Sequence, residues 1–106
     1  MDHIFTTLAQ ELDCDARYVE NVASLLDAGN TIPFIARYRK EAHGGMDDTR
    51  LRRLQTRLDY LRSLQARREE ICALISAQTE LTDELSAAIE HAETLSALED
   101  IYRPYR

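Results

Sequence analysis

The sequence predicts an all-α fold: five or six helices packed along one long central helix, with a helix-turn-helix-like unit before it. Three observations carry this. Residues 47–78 contain neither Gly nor Pro and consist mainly of Leu, Arg, Gln, Glu and Ala, all good helix formers. The glycines Gly29, Gly44 and Gly45 all fall at the ends of segments with helical apolar spacing. No segment alternates apolar and polar residues as a half-buried strand would.

The long helix is expected over residues 48–78, with Asp47 as its N-cap and Asp48 complementing the positive end of its dipole. Met46 and Leu51 stand at the two positions of a hydrophobic staple. Its apolar stripe runs through Leu51, Leu54, Leu58, Leu61, Leu64, Ile71 and Ile75, with Leu74 alongside. This stripe drifts backwards, as a repeat nearer 3.5 than 3.6 does. A rise of about 1.5 Å per residue makes the helix roughly 46 Å long, so shorter helices should pack along it. Its weakest stretch is residues 65–70, QARREE, which holds no large apolar side chain.

Before it, residues 3–12 read as a helix with Ile4, Phe5, Leu8 and Leu12 on one face and Asp2 as cap. Asp13 or Asp15 then breaks the chain and caps a second helix, residues 16–28, with Val19, Val22, Ala23 and Leu26 inward. Gly29 closes it in the left-handed conformation. Pro33 fits the first turn of a third helix, residues 33–42. Phe34, Ile35, Tyr38 and Ala42 are its apolar side, and Arg37, Arg39 and Lys40 its basic side. After the long helix, Thr82 caps a helix burying Leu85, Ala88 and Ile89. Ser96 and Glu99 have capping-box spacing for a last short helix carrying Leu98, Ile101 and Tyr102, stopped by Pro104.

The 106 residues suffice for one domain with a modest core, and 44% hydrophobic content argues against disorder. Cys14 and Cys72 make no disulfide framework or metal pattern, so they read as buried free thiols in a reducing compartment. No signal peptide or membrane span is evident, which points to a cytoplasmic protein. The net charge of −6 is unevenly spread. Residues 37–68 hold ten basic and four acidic side chains, whereas the flanking segments are acidic. Such a basic centre either pairs internally with the acidic ends or serves an anionic partner.

Two segments resemble a known family. TIPFIARYRKEAHGGMDD (residues 31–48), followed by the Leu- and Arg-rich helix, and LEDIYRPYR (residues 98–106) are similar to the N-terminal region of the Tex family of bacterial transcription accessory proteins. The resemblance is strong from about Val19 to the end and thinner over the first helix. It implies a helical fragment, with helix-turn-helix character, of a longer nucleic-acid-binding protein. Family members continue into an RNase H-like domain, helix-hairpin-helix elements and an S1 RNA-binding domain. Members more often carry Thr at the place of His43 and Leu at that of Met46. The end at Tyr105-Arg106 resembles no natural tail, which fits a fragment.

Residues 16–43 have the layout of a helix-turn-helix unit. Its second helix would offer Arg37, Arg39, Lys40 and His43 to phosphates or bases; the alternative is a helical hairpin whose cations pair internally. Arg50, Arg53 and Arg57 form a row along the long helix. Like charges so placed repel, so something negative should offset them: nucleic acid, or Glu84, Glu90 or Glu93. Tyr18, Tyr38, Tyr60, Tyr102 and Tyr105 could stack on bases, although Tyr38 and Tyr60 have spacings that suit the core. His3, His43 and His91 have no metal-ligand spacing, and no phosphate-cradling glycine loop is present. The chain thus reads as non-catalytic and without cofactor or metal. Two functions stay open. One is a nucleic-acid-binding module for RNA or DNA, through Arg37, Arg39, Lys40, Arg50, Arg53 and Arg57. The other is a scaffold that docks the remaining domains of the parent chain or a protein partner. Ile101, Tyr102 and Tyr105 are the expected apolar contacts to such domains.

Overall fold

The computed structural model describes residues 3–106. Asp2, the expected cap of the first helix, lies outside them. Among the described residues seven α-helices follow one another: α1 (His3–Leu12), α2 (Ala16–Asp27), α3 (Ile32–Tyr38), α4 (Lys40–His43), α5 (Asp48–Ser76), α6 (Asp83–His91) and α7 (Leu95–Tyr102). A 3-10 turn, Arg103–Tyr105, closes the series, and no described residue is in a strand. The all-α class is as expected, and the seventh helix arises because the third one is split. The chain divides into two compact units, Met1–Leu61 and Arg62–Arg106, and α5 contributes residues to both.

In the first unit, α1 ends where Asp13 turns left-handed, with φ of 52°, a conformation that short polar side chains tolerate. Asp15 then caps α2 by accepting from the Arg17 N–H at 2.8 Å. At the far end the Gly29 N–H bonds to the Leu26 carbonyl and the Asn30 N–H to the Leu25 carbonyl. That is the Schellman arrangement, and the φ of 94° at Gly29 permits it. Thr31 caps α3 through the Phe34 N–H, with Pro33 in the first turn.

The expected single helix over residues 33–42 is instead α3 and α4. The chain bends at Arg39, with φ −126° and ψ 45°, although no Gly or Pro stands there. What accompanies the bend is tertiary: Ala42 and His43 become buried, and the Asn21 side-chain amide donates to the Ala42 carbonyl at 3.1 Å. The inward face of α3 is therefore Ile32 and Ile35, with Ala36 half-buried. Phe34 and Tyr38, expected inside, are exposed at 42% and 60%.

The core of this unit gathers Leu8 and Leu12 of α1, Val19 and Val22 of α2, Ile32 and Ile35 of α3, then Met46 and Leu51, Leu54 and Leu58 of α5. Each fully buried aliphatic side chain of this kind contributes roughly 1.5–3 kcal/mol. Asp47 caps α5 by accepting from the Arg50 N–H at 2.8 Å. Met46 and Leu51, the staple pair, are both buried in the same cluster.

In the second unit α5 continues without a break through residues 65–70. Polar pairing along the helix suits that stretch: the Gln65 amide donates to Glu69, and Arg67 meets Glu70 at 2.6 Å. Leu64, Ile71 and Ile75 are buried, whereas Leu61 is half-buried and Leu74 exposed. The expected cap Thr82 accepts from the Leu85 N–H at 3.1 Å and starts α6. Of its expected buried residues, Ile89 is buried, Leu85 half-buried and Ala88 exposed. The cap of α7 is Thr94, accepting from the Ala97 N–H at 3.0 Å, rather than Ser96. Leu98 and Tyr102 are buried; Ile101 and Tyr105 are half-buried. Tyr102 is thus part of the buried apolar set rather than the exposed patch the sequence suggested.

Candidate nucleic-acid interface

The six cations named from sequence separate into two groups by what their side chains touch. Arg37 and Lys40 are exposed and form no ion pair among the described residues, nor does the exposed Arg53. The Arg37 guanidinium lies 5.4 Å from the centre of the Tyr38 ring. Arg39, Arg50 and Arg57 are engaged within the fold. Arg39 Nε meets Glu41 Oε1 at 2.6 Å, and that hydrogen bond holds the Glu41 carboxyl below its usual range. Both partners are largely in water, so the pair adds little to stability.

Arg50 donates to the carbonyl of Leu12, the last residue of α1, where a helix end presents unpaired acceptors and negative dipole. Arg57 reaches Glu11 through two bonds, Nε to Oε1 at 2.8 Å and Nη2 to Oε2 at 3.0 Å. This contact lowers the Glu11 pKa and raises that of Arg57. Arg53 adds a smaller electrostatic pull on Glu11. The carboxylate that offsets the arginine row is therefore Glu11, which sequence reasoning missed while looking to Glu84, Glu90 and Glu93. Its position next to the last residue of α1 was visible in the sequence, but not its facing helix.

The second unit repeats both devices with other residues. Arg68 donates to the Ile89 carbonyl at 3.1 Å and to the Ala92 carbonyl, closing the end of α6. Arg67 takes Glu99 in a two-bond grip, Nε to Oε1 at 2.6 Å and Nη2 to Oε2 at 3.1 Å, and lies over the Tyr102 ring. The bond from Arg67 lowers the Glu99 pKa. Arginines of α5 in the basic centre thus hold α1, α6 and α7 in place.

His43, offered above to an anionic ligand, is 1% exposed and serves the backbone. Its Nδ1 accepts from the Gly45 N–H at 3.1 Å and the Met46 N–H at 2.8 Å, while Nε2 faces the Ala36 carbonyl at 3.3 Å. These roles fix the tautomer with the proton on Nε2. The ring organises the turn between α4 and α5. Gly44 completes the turn with φ of 66°, and a Cβ there would come within 2.7 Å of the Tyr18 ring.

A shallow cleft beside this turn is lined by Asn21, Ser24, Leu25, Arg39, Glu41 and Ala42. Asn21 is bound to Ala42 and Arg39 to Glu41, so its principal polar groups are already paired with one another. Among the described residues no three His, Cys, Asp or Glu side chains gather to hold a metal ion. Cys14 and Cys72 are free and half-buried, and burial raises the Cys14 pKa. No described helix is long and apolar enough to cross a membrane.

The outer side of α3 is exposed and carries two aromatic rings. Phe34 and Tyr38 stand one turn apart, with ring centres 5.3 Å apart and planes tilted by 46°. Arg37 lies between them in sequence, and Lys40 follows.

Residues 2–76 match the Tex-like protein N-terminal domain. The chain is 49% identical over 104 residues to the transcriptional accessory protein Tex of Neisseria gonorrhoeae, covering 98% of this chain. It is 51% identical over 108 residues to protein tex of Bordetella pertussis, covering all of this chain, and 50% identical over 105 residues to protein YhgF of Escherichia coli, covering 99%. In each case the chain spans about 14% of the relative's length. On this match and these identities, the chain belongs to the Tex family, as its N-terminal helical domain.

Proposed function

We propose that this chain is a non-catalytic, cytoplasmic module of a Tex-like transcription accessory protein that contributes a nucleic-acid contact through α3 and α4. The observation that carries the reading is the pair Arg37 and Lys40. Both are exposed without a carboxylate partner among the described residues, in a chain of net charge −6 where acids are plentiful. Two cations left uncompensated there suit the phosphates of RNA or DNA. In this reading α2, the turn, α3 and α4 act as the helix-turn-helix-like unit, with Arg37 presented on α3 and Lys40 on α4. The non-catalytic part rests on the commitment of His43 to the backbone and of Arg39 to Glu41.

Binding by this chain should be weak, nearer the non-specific range of roughly 10⁻⁴ to 10⁻⁶ M, because its acidic segments oppose the approach of a polyanion. The test is a titration of labelled single- and double-stranded oligonucleotides at low and moderate salt. Wild type is compared with the Arg37→Gln, Arg39→Gln, Lys40→Gln triple variant. Weaker binding and a flatter salt dependence in the variant support the reading. Equal binding by both proteins, or none by either at low salt, removes it.

A second reading has its own observation. Arg50 and Arg57 hold α1 in place, as a scaffold requires. In that case the chain positions the rest of the parent protein or a protein partner, and nucleic acid is bound elsewhere.

A further inference from the structure

We infer that the outer face of α3 is a stacking platform for an unpaired base, so that the nucleic acid taken by this chain is single-stranded. This rests on the reading that α3 and α4 contact nucleic acid, and it names the form of the ligand.

The argument begins with where the rings are. Phe34 is 42% and Tyr38 60% exposed, while Ile32 and Ile35 on the same helix supply its buried contacts. The two rings are therefore not needed to hold α3 down. They touch one another at 5.3 Å, and the Arg37 guanidinium lies 5.4 Å from the Tyr38 ring. Two exposed rings, with a cation over one of them, match the two parts of a nucleotide, a flat base for a free ring face and a phosphate for the guanidinium. An acidic peptide would satisfy Arg37 and Lys40 but would leave the ring faces unmatched.

The bend at Arg39 decides between strands and duplex. A recognition helix reads a major groove with several side chains along its length. Here α3 has only seven residues, about 10 Å of helix, and its outward side carries two rings and one side chain able to read a base edge, Arg37, which lies over the Tyr38 ring. Bases inside a duplex offer their edges in the grooves, whereas an unpaired base offers its face. The shared chemistry of RNA and DNA single strands, an unpaired base and its phosphate, fits this surface.

Fluorescence anisotropy on the 106-residue chain tests it with four labelled 12-mers: oligouridine, oligothymidine, a DNA duplex and an abasic phosphodiester strand. The uridine or the thymidine strand should bind at least several-fold more tightly than the duplex and the abasic strand. Replacing both rings, Phe34→Ala with Tyr38→Ala, should weaken single-strand binding roughly tenfold or more while leaving the salt slope unchanged. Tyr38→Trp should retain binding, and circular dichroism should show an unchanged helix content in each variant. If every probe binds alike and only the cation triple variant is weakened, the nucleic-acid reading stands and the stacking inference falls. If no probe binds, both fall, and the outer face of α3 is left as a protein-docking face.

Discussion

Arg57 of α5 and Glu11 of α1 are joined by two parallel hydrogen bonds of 2.8 and 3.0 Å, a fork-on-carboxylate contact that ties helices far apart in sequence. Both side chains are about one third exposed or less, so solvent weakens the contact without cancelling it.

The pair has a pH signature. The Glu11 pKa in the folded chain lies below its unfolded value because of the Arg57 hydrogen bond. Its contribution is therefore fully present above the unfolded carboxylate pKa and is lost as pH falls through the lower, folded one. Glu11→Gln should lower stability by about 1 kcal/mol at neutral pH, and the difference from wild type should vanish in acid. Urea unfolding of both proteins at neutral and strongly acidic pH checks it. A gap that persists in acid would show that the carboxylate charge is not the cause.

His43→Ala should destabilise the chain by roughly 2–4 kcal/mol. It leaves the buried Met46 N–H and the neighbouring Gly45 N–H without their acceptor and opens a small void. Hydrogen exchange at Gly45 and Met46 should accelerate more than at Leu51, one helical turn into α5. Uniform acceleration along the chain would argue against a local role.

Gly44 and Gly45 should respond differently to alanine. Both have positive φ, 66° and 87°, so each substitution costs about 1 kcal/mol from backbone conformation. Only at Gly44 does the new Cβ meet the Tyr18 ring, at 2.7–2.8 Å, whereas nothing lies within 4 Å at Gly45. Gly44→Ala should therefore cost about 1–3 kcal/mol more. In a Tyr18→Ala background that excess should disappear, a coupling read from a double-mutant cycle on thermal unfolding.

Leu58→Ala should cost about 2–5 kcal/mol, since Leu58 is 1% exposed in the first unit's core. Leu74→Ala, at a position 38% exposed on the same helix, should stay within about 0.5 kcal/mol. Chemical denaturation of the two variants distinguishes them, and similar losses would contradict the assigned faces of α5.

Much of the helical plan was legible because its signals are local. The caps Asp15, Asp47 and Thr82 and the left-handed Gly29 each depend on atoms within a few residues. Leu51, Leu54 and Leu58 were readable as buried because three consecutive apolar turns leave one face to choose. In α3 there were two apolar faces, one through Ile32 and Ile35 and another through Phe34 and Tyr38. Spacing alone favoured the wrong one.

By itself, the sequence determined an all-α chain, the extent of α5 to within two residues of its end, and the Tex resemblance. It also showed that positive charge gathers over residues 37–68. Tertiary structure alone decided the bend at Arg39, the outward turn of Phe34 and Tyr38, and the burial of His43. It also decided which cations have partners: Arg57 meets Glu11 and Arg50 meets the Leu12 carbonyl, while Arg37 and Lys40 meet no carboxylate among the described residues. The physical reason is one of range. A cap or a turn is fixed by neighbours along the chain, whereas an ion pair or a buried face is fixed by which helix lies opposite, and that is set only when the whole unit packs.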